Sequence, residues 1–189
     1  MTPTKATIDK WKPESLTIPG IGALGKTIAT ESSAADRLYD LPHSEWDGAA
    51  RTAATLRAGN ESAWARRVGA KVEALGKSLK SAGAAISPMV TAVHSALQTA
   101  AADHCSLISD HDASWAMKYS PPTSDDDLSA AKIAEKERQW SAYVKARADA
   151  AEHTCRDHAG KIAAALSTLS ALTPPVLGLS AQDGRRDAE

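Results

Sequence analysis

The stretch "VEALGKSLKSAGAAISPMVTAVHSAL", residues 72–97, decides the fold. Its apolar residues Val72, Leu75, Leu79, Ala82 and Ile86 recur at intervals of three and four, the spacing of one face of an α-helix. Pro88 then interrupts. A proline in a helix interior lacks the N–H of its turn and crowds the preceding carbonyl, at about 3 kcal/mol. Two helices folded back at "GAAISP" would avoid that cost. The phase nevertheless resumes at Val90, Val93, Leu97, Ala100, His104 and Leu107. A loop of arbitrary length would usually lose it. Extended back through Trp64 and Val68, the stripe predicts one helix over about 46–108, kinked at Pro88 and roughly 90 Å long.

Upstream, Ile21, Leu24, Ile28, Ala35 and Leu38 form a second stripe, which Leu41-Pro42 ends. This predicts a helix at about 21–39. Residues 1–18 read as an irregular segment, although "WKPES" suits a short helical turn because proline is tolerated at the first helical position. Downstream, "SDHDASWAMKYSPP" is rich in turn formers. Trp115, Met117 and Tyr119 alternate there, which predicts a short β-hairpin or extended tip at 109–119. "TSDDDL" is a helix start, with a hydroxyl cap and acids at the positive end of the dipole. The last helix then runs over about 124–172, through Trp140, Val144, Ala151, Cys155, His158 and Ile162, until "TPP" stops it.

The expected fold is all-α: an elongated antiparallel helical bundle with a short hairpin at one turn. Its organisation reads as an N-terminal segment at 1–18, a helical domain at 19–173 and a tail or linker at 174–189. Antiparallel pairing of the two long helices across the 109–123 connection sets Cys155 near Ser78 and Leu172 near Glu61.

Composition agrees. Among 189 residues there are five Trp, three Tyr and no Phe, and alanine dominates the apolar fraction. Such a core lets helices approach closely and is poor material for a sheet. Lys and Arg number 22 against 23 Asp and Glu, so no basic excess points to nucleic acid or anionic lipid. No apolar run is long enough to span a membrane, and the first thirty or so residues lack the pattern of a signal peptide.

The connection between the first two long helices, "LYDLPHSEWDGAA" at 38–50, holds the candidate functional turn: Trp46, Asp47 and Gly48. An indole there can close the open end of a helical hairpin, and Gly48 would let another backbone or side chain approach closely. "LPHSEWDGAA" between two alanine-rich amphipathic helices resembles the Trp-X-Gly turn of the helical-hairpin family exported by actinobacterial type VII (ESX) secretion. "DKWKPESL" is similar to the Trp-x-Pro-x-x-Leu opening of Trp-X-Gly-like modules that head larger secreted hydrolases and polymorphic toxins. "SSAADRLYDLP" resembles the end of their first helix, and "ADAAEHTCRDHAGKIAAAL" their last. The likeness covers most of residues 8–172. It implies a non-catalytic module that binds a small helical Trp-X-Gly-type partner or a chaperone, or associates with itself, and engages the secretion machinery. It implies a secreted or cell-envelope destination without a signal peptide. The family's Tyr-x-x-x-Asp/Glu signal is not met: the fourth residue after Tyr39, Tyr119 and Tyr143 is His43, Thr123 and Arg147. Either a partner supplies that half, or the chain uses another route.

Trp115, Met117 and Tyr119 invite two readings. Exposed, they form an apolar interaction tip; folded down, they cap the bundle. The histidines and cysteines invite a metal reading through His104, Cys105, His111, His153, Cys155 and His158. Zinc needs ligands converging at about 2.0–2.3 Å, and the expected register sets the two clusters on the order of 40 Å apart. A Cys105–Cys155 disulfide meets the same obstacle unless the chain folds back at Pro88. "GIGALG" at 20–25 has dinucleotide-motif spacing but no preceding strand. A Cys-His nucleophile lacks a strand-to-helix elbow or an oxyanion loop. No metal, cofactor or catalytic set is expected. The competing function is a cytoplasmic adaptor or immunity protein that acts by surface binding.

Overall fold

The computed structural model of the chain describes residues 1–38, 48–122, 128–172 and 174. The protein is mainly helical, with one small antiparallel sheet. Its elements are α1 (Lys5–Ile8), a 3-10 turn at Pro13–Leu16, α2 (Ile21–Leu38), α3 (Ala49–Ala102), β1 (Cys105–Leu107), β2 (Met117–Tyr119) and α4 (Ala130–Ser170). The all-α expectation with a short hairpin therefore holds. Among the described residues no helix is long and apolar enough to cross a membrane.

α3 runs unbroken through Pro88. Ala84, Ser87 and Pro88 lie on its exposed side. Ala84, whose carbonyl Pro88 cannot serve, is thus an exposed residue, while Ile86, Val93 and Ala96 hold the opposite side in the core. The two-helix alternative at "GAAISP" is excluded.

The chain divides into two compact units. One comprises the described residues of 1–19 and 76–164, the other those of 20–75 and 165–189. In the first, α3 and α4 pack through Val93 and Ala96 against Val144, Ala148 and Ala151, with Ile8 and Trp115 completing the cluster. A second cluster joins Ala100, Cys105, Met117 and Tyr119. The β-hairpin pairs Cys105 with Tyr119, Ser106 with Lys118 and Leu107 with Met117. So short a hairpin is marginal alone. Here α4 satisfies its outer edge: the Met117 N–H donates to Ser141 Oγ at 2.9 Å and the Tyr119 N–H to Glu137 Oε1 at 3.0 Å.

Several expected boundaries move. α3 ends at Ala102, not near 108, and His104 takes a left-handed φ of 59°. His104 and Leu107 happen to match the helical phase, but Cys105 and Leu107 belong to a strand. The hairpin therefore straddles 105–119, and 109–116 is its loop. α4 begins at Ala130, and the backbone N–H groups of Lys132 and Ile133 donate to the Ser129 carbonyl at 3.0 and 3.1 Å. The acidic cap expected at 124–127 lies outside the described residues. With the hairpin inserted, Asp103 meets Lys136 and Trp140, where the expected register would have set it opposite Ala130.

The N-terminal segment is not irregular throughout. The Thr4 side chain caps α1 by accepting the Thr7 N–H at 3.1 Å, and Pro13 opens the 3-10 turn as its position predicts. Ile8, fully buried, inserts into the first cluster.

In the second unit α2 and α3 pack antiparallel. Ser62 Oγ donates to the Ser32 carbonyl at 2.9 Å, and Gly25 faces Gly69. A Cβ at Gly25 would lie 2.5 Å from the Gly69 carbonyl, and one at Gly69 2.5 Å from the Gly25 carbonyl. Gly25, part of the apparent dinucleotide motif, is thus a helix-packing residue.

Candidate functional site

The turn before α3 is described only at its last residue. Trp46 and Asp47 lie outside the described residues. Gly48 has φ +96° and leads directly into α3. Its carbonyl accepts the Thr52 backbone N–H at 3.2 Å and Thr52 Oγ1 at 3.3 Å, the first bonds of the helix. A Cβ on Gly48 would meet no described atom within 4 Å. Among the described residues no close approach is seen there. The left-handed backbone itself favours glycine, and an L side chain there costs on the order of 1–3 kcal/mol.

Trp115, Met117 and Tyr119 fold down; they do not form an exposed tip. Their relative exposures are 0%, 3% and 4%. Trp115 has φ 57°, which turns its side chain inward, and its Nε1–H donates to the Pro3 carbonyl at 2.9 Å. The segment that covers it is held by the Ala6 N–H donating to the Asp110 carbonyl at 2.9 Å. Lys5 Nζ adds contacts to Asp9 and Asp110 at 2.8 and 3.1 Å. His94 Nε2 lies 3.0 Å from Asp9. The hydrogen bond from Lys5 holds the Asp9 carboxyl below its ordinary range, with a smaller push from His94. Alternation along 115–119 signalled a strand, but a partner more than a hundred residues away decided which way the indole faced.

The two thiols are free. Burial raises both, and the Asp103 carboxylate adds to the rise at Cys105. Both shifts run away from the thiolate form that a nucleophile uses. His104, His111 and His153 are exposed, and among the described residues no group of three metal-type ligands converges.

A feature the sequence reading missed lies where α3 ends against α4. Asp103 joins the two helices. Its Oδ1 pairs with Lys136 Nζ at 2.7 Å, and its Oδ2 accepts Trp140 Nε1–H at 2.7 Å. These contacts, that of Lys136 first, hold its carboxyl below the ordinary range. Asp103 in turn raises the Lys136 ammonium, which also lies 4.3 Å from the centre of the Tyr119 ring. The pinned Trp140 meets Tyr143 edge to face at 5.7 Å and 88°. The Arg147 guanidinium stacks 5.0 Å from the Tyr143 ring and donates to its hydroxyl at 3.3 Å. Thr99, Asp103, Gln139, Trp140 and Tyr143 line an open cleft of about 400 Å³. The usable signal was a Trp, a Tyr and an Arg at helical spacing, one position before the core residues Val144 and Ala148. Comparison with family models, curated proteins and solved structures returns no match for this chain.

Proposed function

We propose that the chain is a non-catalytic targeting and partner-binding module of a type VII secretion system, able to head a longer effector. The observation that carries this reading is the Trp46-Asp47-Gly48 sequence in the connection between α2 and α3. Gly48, with φ +96°, feeds straight into a 54-residue helix. The order of elements supports it: an opening turn at Pro13–Leu16, a helix, the Trp-X-Gly connection, a longer helix, a short hairpin and a last long helix. This order parallels the family that the sequence resembles. A small helical protein or chaperone supplies the Tyr-x-x-x-Asp/Glu half that this chain lacks, and the complex leaves the cell without a signal peptide.

The test is export from an actinobacterial host with an active type VII machinery. Trp46→Ala is expected to lower the amount of chain in the culture filtrate severalfold while helical circular dichroism stays unchanged. Gly48→Arg is expected to do the same. Full export of both variants contradicts the reading. Retention of the unmodified chain in the cytosol, with or without the partner, favours the surface-binding adaptor instead.

A further inference from the structure

We propose that the α4 stripe Lys132, Lys136, Trp140, Tyr143 and Arg147 is a docking face for a partner helix with an apolar middle and carboxylates at both ends. This goes beyond the export reading: it uses none of the residues of the Trp46 turn, and it stands or falls separately.

The five residues follow one another at intervals of four, four, three and four along α4, so they share one face. Trp, Tyr and Arg are the types that dominate interface hot spots. These three are already ordered. Asp103 fixes the indole at 2.7 Å, the indole sets the Tyr143 ring at 5.7 Å, and that ring carries Arg147 at 5.0 Å. A face ordered before binding loses little side-chain freedom on association. It is also open: Tyr143 is 46% exposed, and Trp140 borders two adjoining clefts of about 400 and 480 Å³. The second cleft carries the face on to Lys132.

Charge selects the occupant. Among the described residues, carboxylates beside the stripe are engaged: Asp103 with Lys136, Glu135 with Arg138, Asp149 with Lys145 and Glu152 with Arg156, each at 2.7 Å. Glu137 accepts the Tyr119 N–H. Among the described residues, neither Lys132 nor Arg147 has a carboxylate partner. Among the described residues the face thus shows an aromatic pair flanked at each end by a cation with no carboxylate partner, the two cations about 22 Å apart along the helix axis. Its complement is an amphipathic helix of some four turns, with aliphatic side chains in the middle and Asp or Glu at each end.

The test uses the full chain and a lactam-bridged helical peptide of about 18 residues, with leucines in its middle turns and glutamates in its first and last. Binding is followed through the indole N–H resonances in ¹⁵N-labelled protein. The Trp140 resonance is expected to shift saturably and that of Trp115 to stay in place. Tyr143→Ala and Arg147→Glu, both at exposed positions, are expected to weaken binding about tenfold. A peptide with lysines replacing the glutamates is expected to fail on the unmodified chain and to recover part of its affinity on Arg147→Glu. Absence of a saturable Trp140 shift, equal binding of the two peptides, or unchanged affinity in both variants overturns the proposal.

Discussion

In the unit made of residues 1–19 and 76–164, the helices are spaced by large, fully buried side chains: Trp115, Ile8, Val93 and Val144. In the unit that contains α2 and the first half of α3, the helices meet at two facing glycines, and the contact is backbone against backbone. The first arrangement fixes geometry by shape. It also recruits polar groups: an indole on a carbonyl, and an aspartate shared by a lysine and a second indole. The second fixes geometry by the absence of side chains. The consequence is a difference in what each tolerates. The α3–α4 packing of the first unit is sensitive to removal of atoms and the α2–α3 packing of the second to their addition.

The largest expected effect follows from removal. Trp115→Ala empties a fully buried site and deletes the bond to the Pro3 carbonyl, so it should cost about 3–5 kcal/mol by chemical denaturation. A loss below about 1 kcal/mol would mean that the N-terminal segment does not depend on the indole. Next comes addition. Gly25→Ala sets a methyl 2.5 Å from a backbone oxygen and should destabilise by about 1–3 kcal/mol as the helices separate. Gly59→Ala, in the same stretch of α3 with nothing within 4 Å, should instead stabilise by up to about 1 kcal/mol. Equal signs for the two would break the contrast.

The opposite reading habits of sequence and structure show in the same places. The helical stripes were legible because Val72 to Leu97 keep one phase through Pro88, and burial of one face is a local property of the sequence. The end of α3 was not, because His104 and Leu107 keep that phase by coincidence while a left-handed turn at His104 hands the chain to a strand. The start of α4 at Ala130 and the shifted register followed from the same hairpin. For the candidate site residues, Gly48 was singled out by its motif, but its left-handed φ was not legible, since φ is invisible in sequence. The direction of Trp115 depended on Pro3, and the order of Trp140 on Asp103, contacts that span 112 and 37 residues. No periodicity carries information at that separation.

Smaller effects sharpen the comparison. Asp9, Asp103 and Asp149, all in the first unit, titrate below their ordinary range when folded, chiefly through lysine hydrogen bonds. A carboxyl lowered in the folded state gives stability that is complete above its unfolded pKa and is lost as pH falls through the folded one. Denaturation midpoints should therefore hold steady at neutral pH and decline below about pH 4. Asp103→Asn should remove part of that decline. The side chain of Asp103 is 43% exposed, so solvent screening limits its share to under about 1 kcal/mol. A decline identical in Asp103→Asn would place the acid sensitivity elsewhere. The mildest probe is thiol labelling. Half-buried Cys155 should react slowly, and Cys105, 1% exposed, only when the first unit opens. Equal rates would show that the hairpin frays.

All of these measurements concern how the scaffold is held. What the scaffold is for rests on the connection between α2 and α3, and the most direct measurement is export of Trp46→Ala beside the unmodified chain, with circular dichroism recorded on both. The account predicts a severalfold fall in the culture filtrate with the helical signal intact. Undiminished export of a folded Trp46→Ala protein would contradict it.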